Sequence, residues 1–304
     1  MGARGGWELV RGEPGFPEAL EGVSGVGDRI YGTGDADALR GECISVVGAR
    51  RATPYGLACA RMAGAAAARA GLTLVSGGAR GCDSAAGRAA LEAGGRTVVV
   101  SGCGADLCYP RSSADLFEAA RSGGGAVVAI EPWGTPPRRR NFPRRNRVIA
   151  ALSRCTLVVE AGERSGSLQT ATAAAALGRS VYAVPGSIFA PTSVGANRLI
   201  EEGAAIVCDE TALQTRIALD YGRAALAATR PGGGPRWDDE VLRALVSRPA
   251  RADELARDMG ASLADMVRLL SHYEAQGIVS RLADGRYSPS ESTLLAGLGD
   301  ERGS

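Results

Sequence analysis

The sequence contains no lysine, so all 35 of its basic residues are arginine. Without lysine, the GK[ST] phosphate-binding loop of nucleotide hydrolases is excluded. There is one histidine, His272, which excludes Ser-His-Asp and Cys-His nucleophile systems and histidine-rich metal sites. The seven cysteines show no CxxC spacing, and we interpret them as buried, reduced thiols. Any acid-base chemistry would therefore depend on carboxylates.

Long hydrophobic runs are also absent. No apolar stretch approaches the roughly 20 residues of a membrane span, and residues 1–6 lack the apolar segment of a signal peptide. We therefore expect a cytoplasmic globular protein, and 304 residues suffice for one large or two modest domains. Because the net charge is only +2, any affinity for nucleic acid must come from a local patch.

The densest basic patch is the stretch from Arg138 to Arg147, in which six arginines surround Phe142 and two asparagines. Arginine forks pair with phosphate oxygens, an aromatic ring can stack on a base, and asparagine can bond base edges or sugars. The combination is typical of sites for single-stranded nucleic acid. The alternative is a solvated basic loop with Phe142 in the core.

Short β-branched runs alternate with alanine-rich segments between residues 43 and 207. The predicted strands are 43–47, 72–75, 96–100, 126–130, 156–159, 180–184 and 205–207, and the predicted helices are 55–70, 83–93, 112–121, 145–152, 167–177 and 194–202. Continuous apolar strands separated by helices indicate a parallel sheet covered on both faces. We predict an α/β protein with a Rossmann-like, doubly wound, mostly parallel sheet over residues 43–227, preceded by a short irregular or helical lead-in over 1–42.

The chain beyond this sheet has a different composition. Residues 228–236 are rich in glycine and proline, which predicts a flexible linker. Three predicted helices and a β-hairpin over 237–289 indicate a small C-terminal winged-helix domain, followed by a flexible tail over 290–304. Because its arginines are balanced by acidic residues, a protein partner or weak DNA contact is favoured over duplex reading.

Glycines and polar residues follow most of the predicted strands. Ligands of such sheets lie beyond the carboxyl ends of the strands, where glycine permits close approach and helix N-termini attract anions. Arg50 follows the first strand and Arg80 lies in the second glycine loop, so we expect both at the same edge as the basic stretch. The hydroxyls of Ser165, Ser167 and Thr170 either cap a helix or contact a phosphate.

Enzymatic alternatives are only weakly supported. The first turn, residues 48–53, is not GxGxxG, and residues 74–76 carry no ribose-binding acid. Glu131 and Glu160, which we expect to end adjacent strands, could form a catalytic carboxylate pair or anchor neighbouring arginines. A nucleotide-binding or nucleotide-hydrolysing Rossmann-like enzyme or sensor is therefore the alternative function.

Between residues 44 and 207 the chain resembles the DNA-processing protein A family, also called Smf. The resemblance rests on ordered motifs at 46–50, 76–83, 102–110, 142–149, 159–161, 165–168, 184–187 and 195–197. It implies a non-enzymatic protein without cofactor or metal that binds and protects single-stranded DNA. It also implies loading of a RecA-type recombinase in natural transformation, and a homodimer formed through the Rossmann-like domain.

The resemblance also implies a binding site. The family's DNA pocket corresponds to Arg50, Arg139, Asn141, Phe142 and the loop 78–81 of this sequence. One departure is Gly87, which stands where the family usually has a histidine. With the arginines and hydroxyls above, the predicted single-stranded DNA site comprises Arg50, Gly77, Gly78, Arg80, Gly81, Arg139, Arg140, Asn141, Phe142, Arg144, Asn146, Ser165, Gly166 and Ser167. No catalytic and no metal-binding residue is predicted.

Overall fold

The computed structural model describes residues 5–222 and 240–297, which divide into two compact units. The first unit is built on a nine-stranded sheet of order β1-β2-β6-β5-β4-β3-β7-β8-β9. Its strands are β1 Gly6–Val10, β2 Arg29–Gly34, β3 Cys43–Val47, β4 Thr73–Ser76, β5 Arg96–Val100, β6 Ala126–Ala129, β7 Cys155–Val158, β8 Ser180–Ala183 and β9 Ala205–Ile206. The strands β3 to β9 pair in parallel, whereas β1 and β2 are antiparallel to their neighbours.

Helices follow the parallel strands. They are α1 Pro54–Arg69, α2 Cys82–Glu92, α3 Ala114–Ser122, α4 Asn141–Leu152, α5 Gly166–Ala176, α6 Val194–Glu201 and α7 Glu210–Tyr221. Alternate residues of β5 face opposite sides of the sheet: Val98 and Val100 pack in the core that contains α4, and Val99 in the core that contains α3. The central strands are therefore buried on both faces, and the predicted α/β class with a mostly parallel sheet is confirmed.

The predicted irregular or helical lead-in over residues 1–42 is wrong in one respect, because two of its segments are strands of the sheet. β2 pairs with β6 and buries Ile30 completely. Trp7 of β1 lies against Gly32 on β2, where a Cβ would collide with its ring. β1 is the edge strand of the sheet, and β1 and β2 are both only partly buried, which gives the segment its weak pattern of apolar residues.

Two helices differ from the prediction. α4 begins at Asn141 rather than at residue 145, so three of the six arginines of the basic stretch lie in the helix. Pro143 lies in its first turn, where the missing N–H costs no helical hydrogen bond. The helix α7 was not predicted; Asp209 begins it by accepting a hydrogen bond from the N–H of Ala212 at 2.6 Å.

The second unit contains α8 Glu240–Ser247, α9 Ala252–Asp258, α10 Leu263–Ala275, β10 Val279–Arg281, β11 Tyr287–Pro289 and α11 Glu291–Gly297. The strands β10 and β11 form an antiparallel hairpin, and Leu242, Leu255 and Leu270 lie in the core of the unit. The winged-helix assignment stays a prediction. The predicted linker over 228–236 lies outside the described residues.

The predicted flexible tail over 290–304 is wrong for its first part, because residues 291–297 form α11. Ser290 accepts a hydrogen bond from the N–H of Thr293 at 3.2 Å, and the Thr293 hydroxyl donates to the carbonyl of Ile278 at 2.8 Å. These bonds cap the helix and attach it to the hairpin. Within the described parts of the chain, no helix has the length and apolar character to span a membrane.

Candidate functional site

Two adjoining clefts open at the carboxyl edge of the parallel strands. The large cleft has a volume of about 770 Å³ and the small cleft about 290 Å³. Loops that follow β3, β4, β5 and β7 meet the N-terminal turns of α4 and α5 here. The residues that line both clefts are Arg50, Ala79, Tyr109, Phe142 and Arg145.

Phe142 lies in the first turn of α4 and contributes its half-buried ring to both clefts. The guanidinium carbons of Arg50 and Arg145 each lie 5.7 Å from the ring centroid, within the range of a cation–π contact. The ring of Tyr109 lies 5.9 Å away, tilted by 51°. Gly102 packs against the Phe142 ring, and a Cβ there would lie 2.7 Å from it. Packing thus holds an aromatic ring in the wall of both clefts, within reach of two cations.

A buried charged pair forms the floor beneath this ring. Arg145 is 4% exposed and Asp83 is 6% exposed. The Asp83 carboxylate accepts hydrogen bonds from the N–H of Gly77 at 3.0 Å and of Gly48 at 3.4 Å. The guanidinium of Arg145 packs on Gly77, where a Cβ would collide with it. The pair therefore joins the loops after β3 and β4 to α4.

Burial shifts the pKa values of both Asp83 and Arg145. Burial raises the pKa of Asp83, while Arg145 and the two amide donors oppose that rise. Burial likewise lowers the pKa of Arg145 to about 10, and Asp83 opposes this change. The Nε of Arg145 has no hydrogen-bond partner within residues 5–222 and 240–297. The floor of the clefts therefore contains a cation, Arg145, with one N–H group that makes no hydrogen bond to the described residues.

The glycine loops after β3 and β4 touch directly. Gly81 has φ +82°, and a Cβ at this position would collide with the carbonyl oxygen of Ala49. That carbonyl accepts a hydrogen bond from the N–H of Cys82 at 3.1 Å. Burial raises the pKa of Cys82, which favours a packed thiol over a reactive thiolate. Only glycine permits this approach, which sets Arg50 beside the N-terminus of α2.

The N-terminus of α5 forms the opposite wall of the large cleft. Ser165 caps this helix, its Oγ accepting from the N–H of Ser167 at 3.4 Å and lying 2.7 Å from the Ser167 hydroxyl. Asn146 donates from Nδ2 to the carbonyl of Gly166 at 3.3 Å, which attaches α4 to α5. The partial positive charge of the helix N-terminus adds to the attraction for anions.

Arginines dominate the charge of the clefts. They contribute Arg50, Arg80, Arg111, Arg139, Arg145 and Arg164, against the two carboxylates of Asp83 and Glu163. Of these six, all but Arg145 are exposed, and none of the six has a carboxylate within 4 Å among the described residues. The clefts therefore concentrate more positive charge than the +2 of the whole chain.

The structure brings most of the predicted site together. The predicted residues that line the clefts are Arg50, Gly77, Arg80, Arg139, Phe142, Asn146, Ser165, Gly166 and Ser167. The predicted residues outside their lining are Gly78, Gly81, Arg140, Asn141 and Arg144. Among these, Asn141 is buried and donates from Nδ2 to the carbonyl of Gly102 at 3.3 Å, and Gly78 packs against Phe117. Asn141 and Gly78 therefore pack behind the lining of the clefts and do not face a ligand.

The proposed carboxylate pair of Glu131 and Glu160 is wrong. Glu131 follows β6 and Glu160 follows β7, and the strand order places β5, β4 and β3 between them. Glu131 instead accepts a hydrogen bond from Nη1 of Arg144 at 2.8 Å, so its alternative role as an anchor for arginine is confirmed. Chain order alone could not reveal that β7 returns to the far side of β3.

Several residues of the clefts were missing from the predicted site. Tyr109 and Arg111 come from the loop after β5, and Arg164 from the loop after β7. Asp83, buried beneath Phe142, was recognised only as part of a motif. The available signal was position: each follows a strand, at the edge where a ligand binds.

The family model for DNA recombination-mediator protein A matches residues 8–218. Protein Smf of Escherichia coli (strain K12) is 33% identical over 276 residues, which cover 89% of this chain and 74% of that protein. The putative DNA processing protein DprA of Mycobacterium tuberculosis (strain H37Rv) is 37% identical over 269 residues, covering 86% and 67%.

Two solved structures share the fold. DNA processing protein A of Streptococcus pneumoniae superposes with a TM-score of 0.63 at 34% identity, covering 69% of this chain and 73% of that one. DNA processing protein A of Helicobacter pylori superposes with a TM-score of 0.64 at 25% identity, covering 71% and 96%. The Helicobacter pylori structure is described for its unique single-stranded DNA binding mode.

Proposed function

The chain belongs to the DNA recombination-mediator protein A family, and on that premise we propose that it binds single-stranded DNA in the two adjoining clefts. The observation that carries the proposal is the ring of Phe142, which lies at the clefts within cation–π distance of the guanidinium groups of Arg50 and Arg145. The structure described for its single-stranded DNA binding mode, from Helicobacter pylori, supports the same ligand class.

Phosphates would be held by the exposed, unpaired arginines of the clefts, chiefly Arg50, Arg80 and Arg139. Such contacts are independent of sequence and weaken as salt rises. The N–H groups at the start of α5, around Ser165 and Ser167, would add a further phosphate contact. The affinity would therefore come largely from the backbone of the strand.

Bases would stack on Phe142, with Tyr109 beside it as a second ring. Every base has a π-face, so stacking tolerates any sequence. We propose no catalytic role for the floor, because both oxygens of Asp83 are engaged by the amides of Gly48 and Gly77. Asp83 is also only 6% exposed, so little of its carboxylate is accessible to act as a general base in the clefts.

Membership of this family also suggests what happens to the bound strand. We propose that the bound strand is protected and passed to a RecA-type recombinase during natural transformation, and that the protein acts as a homodimer through its first unit. The matching of residues 8–218 to a recombination-mediator model supports this role. Of the predicted site residues, Gly78, Gly81, Asn141, Arg140 and Arg144 would then support the binding walls.

The second unit has a separate proposed role as a winged-helix module that contacts a protein partner. The helices α8 to α10 precede the hairpin of β10 and β11, in the order that such modules require. On α10, Leu263 and Val267 are exposed one turn apart, and Arg268 is paired with Asp265 at 3.2 Å. This apolar face suits a protein surface better than a phosphate backbone.

The test replaces Phe142 by leucine and by tyrosine. Leucine keeps apolar bulk without a π-face, and we expect it to weaken the binding of a fluorescent oligothymidylate by roughly 5- to 150-fold, as loss of one stacked base predicts. Tyrosine keeps the ring and should bind like the wild type. Fluorescence anisotropy gives the dissociation constants, and circular dichroism checks the fold. Equal affinity of the leucine variant and the wild type would refute the stacking role of Phe142.

A further inference from the structure

The loop after β8, residues 186–192, presents two apolar side chains to solvent. Phe189 is 89% exposed and Ile188 is 79% exposed, more than any other large hydrophobic residue that the structure describes. Folding gains nothing from a phenyl ring held in water. An ordered loop that presents such a ring therefore indicates a ligand or a partner.

The loop is built to hold this shape. The side chain of Asn197 binds Gly186 twice, its Oδ1 accepting from the N–H at 3.0 Å and its Nδ2 donating to the carbonyl at 2.9 Å. The N–H of Phe189 donates to Oγ of Ser187 at 3.3 Å, and the N–H of Ala190 donates to the Ser187 carbonyl at 3.0 Å. These bonds form a turn with Phe189 at its outer side.

The same loop packs against the wall of the large cleft. β8 pairs with β7, so the loops that follow the two strands are neighbours. A Cβ on Gly162, which lines the large cleft, would lie 3.2 Å from the Pro191 carbonyl oxygen. The N–H of Gly195, just beyond the loop, donates to the carbonyl of Ala161 at 2.8 Å. Phe189 is therefore displayed on a segment continuous with the cleft.

The charges along this route suit a phosphate backbone. Arg164 lines the large cleft beside Gly162, is exposed, and has no carboxylate within 4 Å among the described residues. Glu163 is the acid nearest in sequence, and Nη1 of Arg198 lies 3.8 Å from its carboxylate. Residues 185–193 contain no acidic side chain. A strand that leaves the cleft past Arg164 would thus meet an aromatic ring without passing an unpaired negative charge.

From this arrangement we infer that Phe189 is a second stacking platform, which binds a base of single-stranded nucleic acid where the strand leaves the large cleft. The inference rests on the proposed function, because it extends the path of the same ligand. Phe142 would hold a base inside the clefts and Phe189 a base outside them. A strand must then be longer than the clefts to contact Phe189.

Length dependence supplies the test. Anisotropy titrations use oligothymidylates of about 4 to 16 nucleotides with the wild type, Phe189→Leu and Phe189→Tyr. We expect Phe189→Leu to bind the shortest strands like the wild type and the longest at least about fivefold more weakly, as loss of one stacked base predicts. Phe189→Tyr should match the wild type at every length. Because residue 189 lies in solvent, these changes leave the core intact.

Crosslinking provides an independent readout. Strands with 5-iododeoxyuridine at successive positions are irradiated with the wild-type protein, and the attached peptides are identified by mass spectrometry. We expect crosslinks to the peptide of Phe189 from positions next to those that crosslink to the peptide of Phe142. Crosslinks confined to Phe142, or equal affinity of Phe189→Leu for all lengths, would overturn the inference.

Two controls separate the possible failures. A wild-type protein that binds no oligonucleotide would refute the proposed function itself, whereas normal wild-type binding without an effect of Phe189→Leu refutes only the second platform. Sedimentation of both proteins without DNA tests the other occupant, a second copy of this chain. A lower mass for Phe189→Leu would assign the ring to a subunit contact and overturn the inference.

Discussion

Replacing Asp83 by asparagine removes the counter-charge of a buried arginine. Arg145 is 4% exposed, so its guanidinium would remain in the floor of the clefts without a compensating charge. Breaking a buried pair in direct contact costs about 3–5 kcal/mol of folding free energy, and since Arg145 and Asp83 lie more than 4 Å apart this value is the upper limit of the expected loss. The amides of Gly48 and Gly77 donate to different oxygens of Asp83, so asparagine keeps one of these hydrogen bonds and turns its NH2 group toward the other donor. The expected loss therefore combines the unpaired cation with one lost hydrogen bond.

The reverse change, Arg145→Met, should behave differently as the pH changes. It leaves a buried carboxyl group, which can take up a proton. Burial already raises the pKa of Asp83 above its ordinary value, and Arg145 is the largest influence that lowers it. Without the arginine, the folded-state pKa of Asp83 rises further. Such a group contributes stability below its unfolded pKa and loses it as the pH rises through the folded pKa.

We expect the loss of folding free energy to depend on pH in Arg145→Met but not in Asp83→Asn. Arg145→Met should lose up to about 3–5 kcal/mol at about pH 8 and clearly less at about pH 5, where Asp83 can be protonated. Asp83→Asn leaves a guanidinium that stays charged through this range, so its cost should change little between the two pH values.

Urea unfolding followed by tryptophan fluorescence measures these free energies. The double variant Asp83→Asn/Arg145→Met should lose less than the sum of the single losses, with a coupling energy of about 0.5–3 kcal/mol. Additive losses would show that the two side chains do not stabilise each other. A loss in Arg145→Met that is the same at both pH values would refute the protonation of Asp83.

Two further predictions concern the arginines of the clefts and the glycine loop after β4. Replacing Arg50 and Arg139 together by glutamine should make the plot of log affinity against log salt shallower by about 1.4, since each phosphate contact to a single strand contributes about 0.7; Arg96→Gln, at the opposite end of β5, should leave the slope unchanged. Gly81→Ala should lower the thermal midpoint more than Gly94→Ala. Both positions have positive φ, but Gly81, with φ +82° and ψ −132°, has a backbone conformation essentially restricted to glycine and would also collide with a carbonyl; equal losses would contradict this reasoning.

The parallel part of the sheet could be predicted because each of its strands is a recognisable run of apolar residues. Residues 96–100 and 43–47 are continuous apolar runs, and the observed strands have the same bounds. Burial on both faces requires such runs. The strands β1 and β2 could not be found in this way, because their stability comes from contacts such as Trp7 on Gly32, which are distant in sequence.

The site was only partly predictable for a similar reason. Arg50 and Phe142 lie next to recognisable strand ends or motifs, and both line the clefts. Tyr109 and Arg164 lie in loops whose conformation depends on neighbours. Tyr109 was noted only within the motif 102–110, and Arg164 was not singled out. The false pair of Glu131 and Glu160 came from assuming that strands consecutive in the chain are adjacent in the sheet, whereas the order of the strands sets that distance.

Because α4 begins at Asn141, three of the six arginines between residues 138 and 147 lie on a helix, and the stretch does not act as one patch. A helix turns by about 100° per residue, so neighbouring arginines point in different directions. Arg145 points inward to Gly77, whereas Arg144 binds Glu131 and the Gly25 carbonyl, and Arg147 binds Ser24.

Only two arginines of this stretch, Arg139 and Arg145, therefore line the clefts. The remaining charge comes from Arg50, Arg80, Arg111 and Arg164, which follow other strands or lie beyond them. An anion in the clefts would thus be bound by several loops at once. Because the positions of those loops depend on the sheet, affinity for a phosphate backbone becomes a property of the fold, and a peptide with the sequence of residues 138–147 would lack most of it.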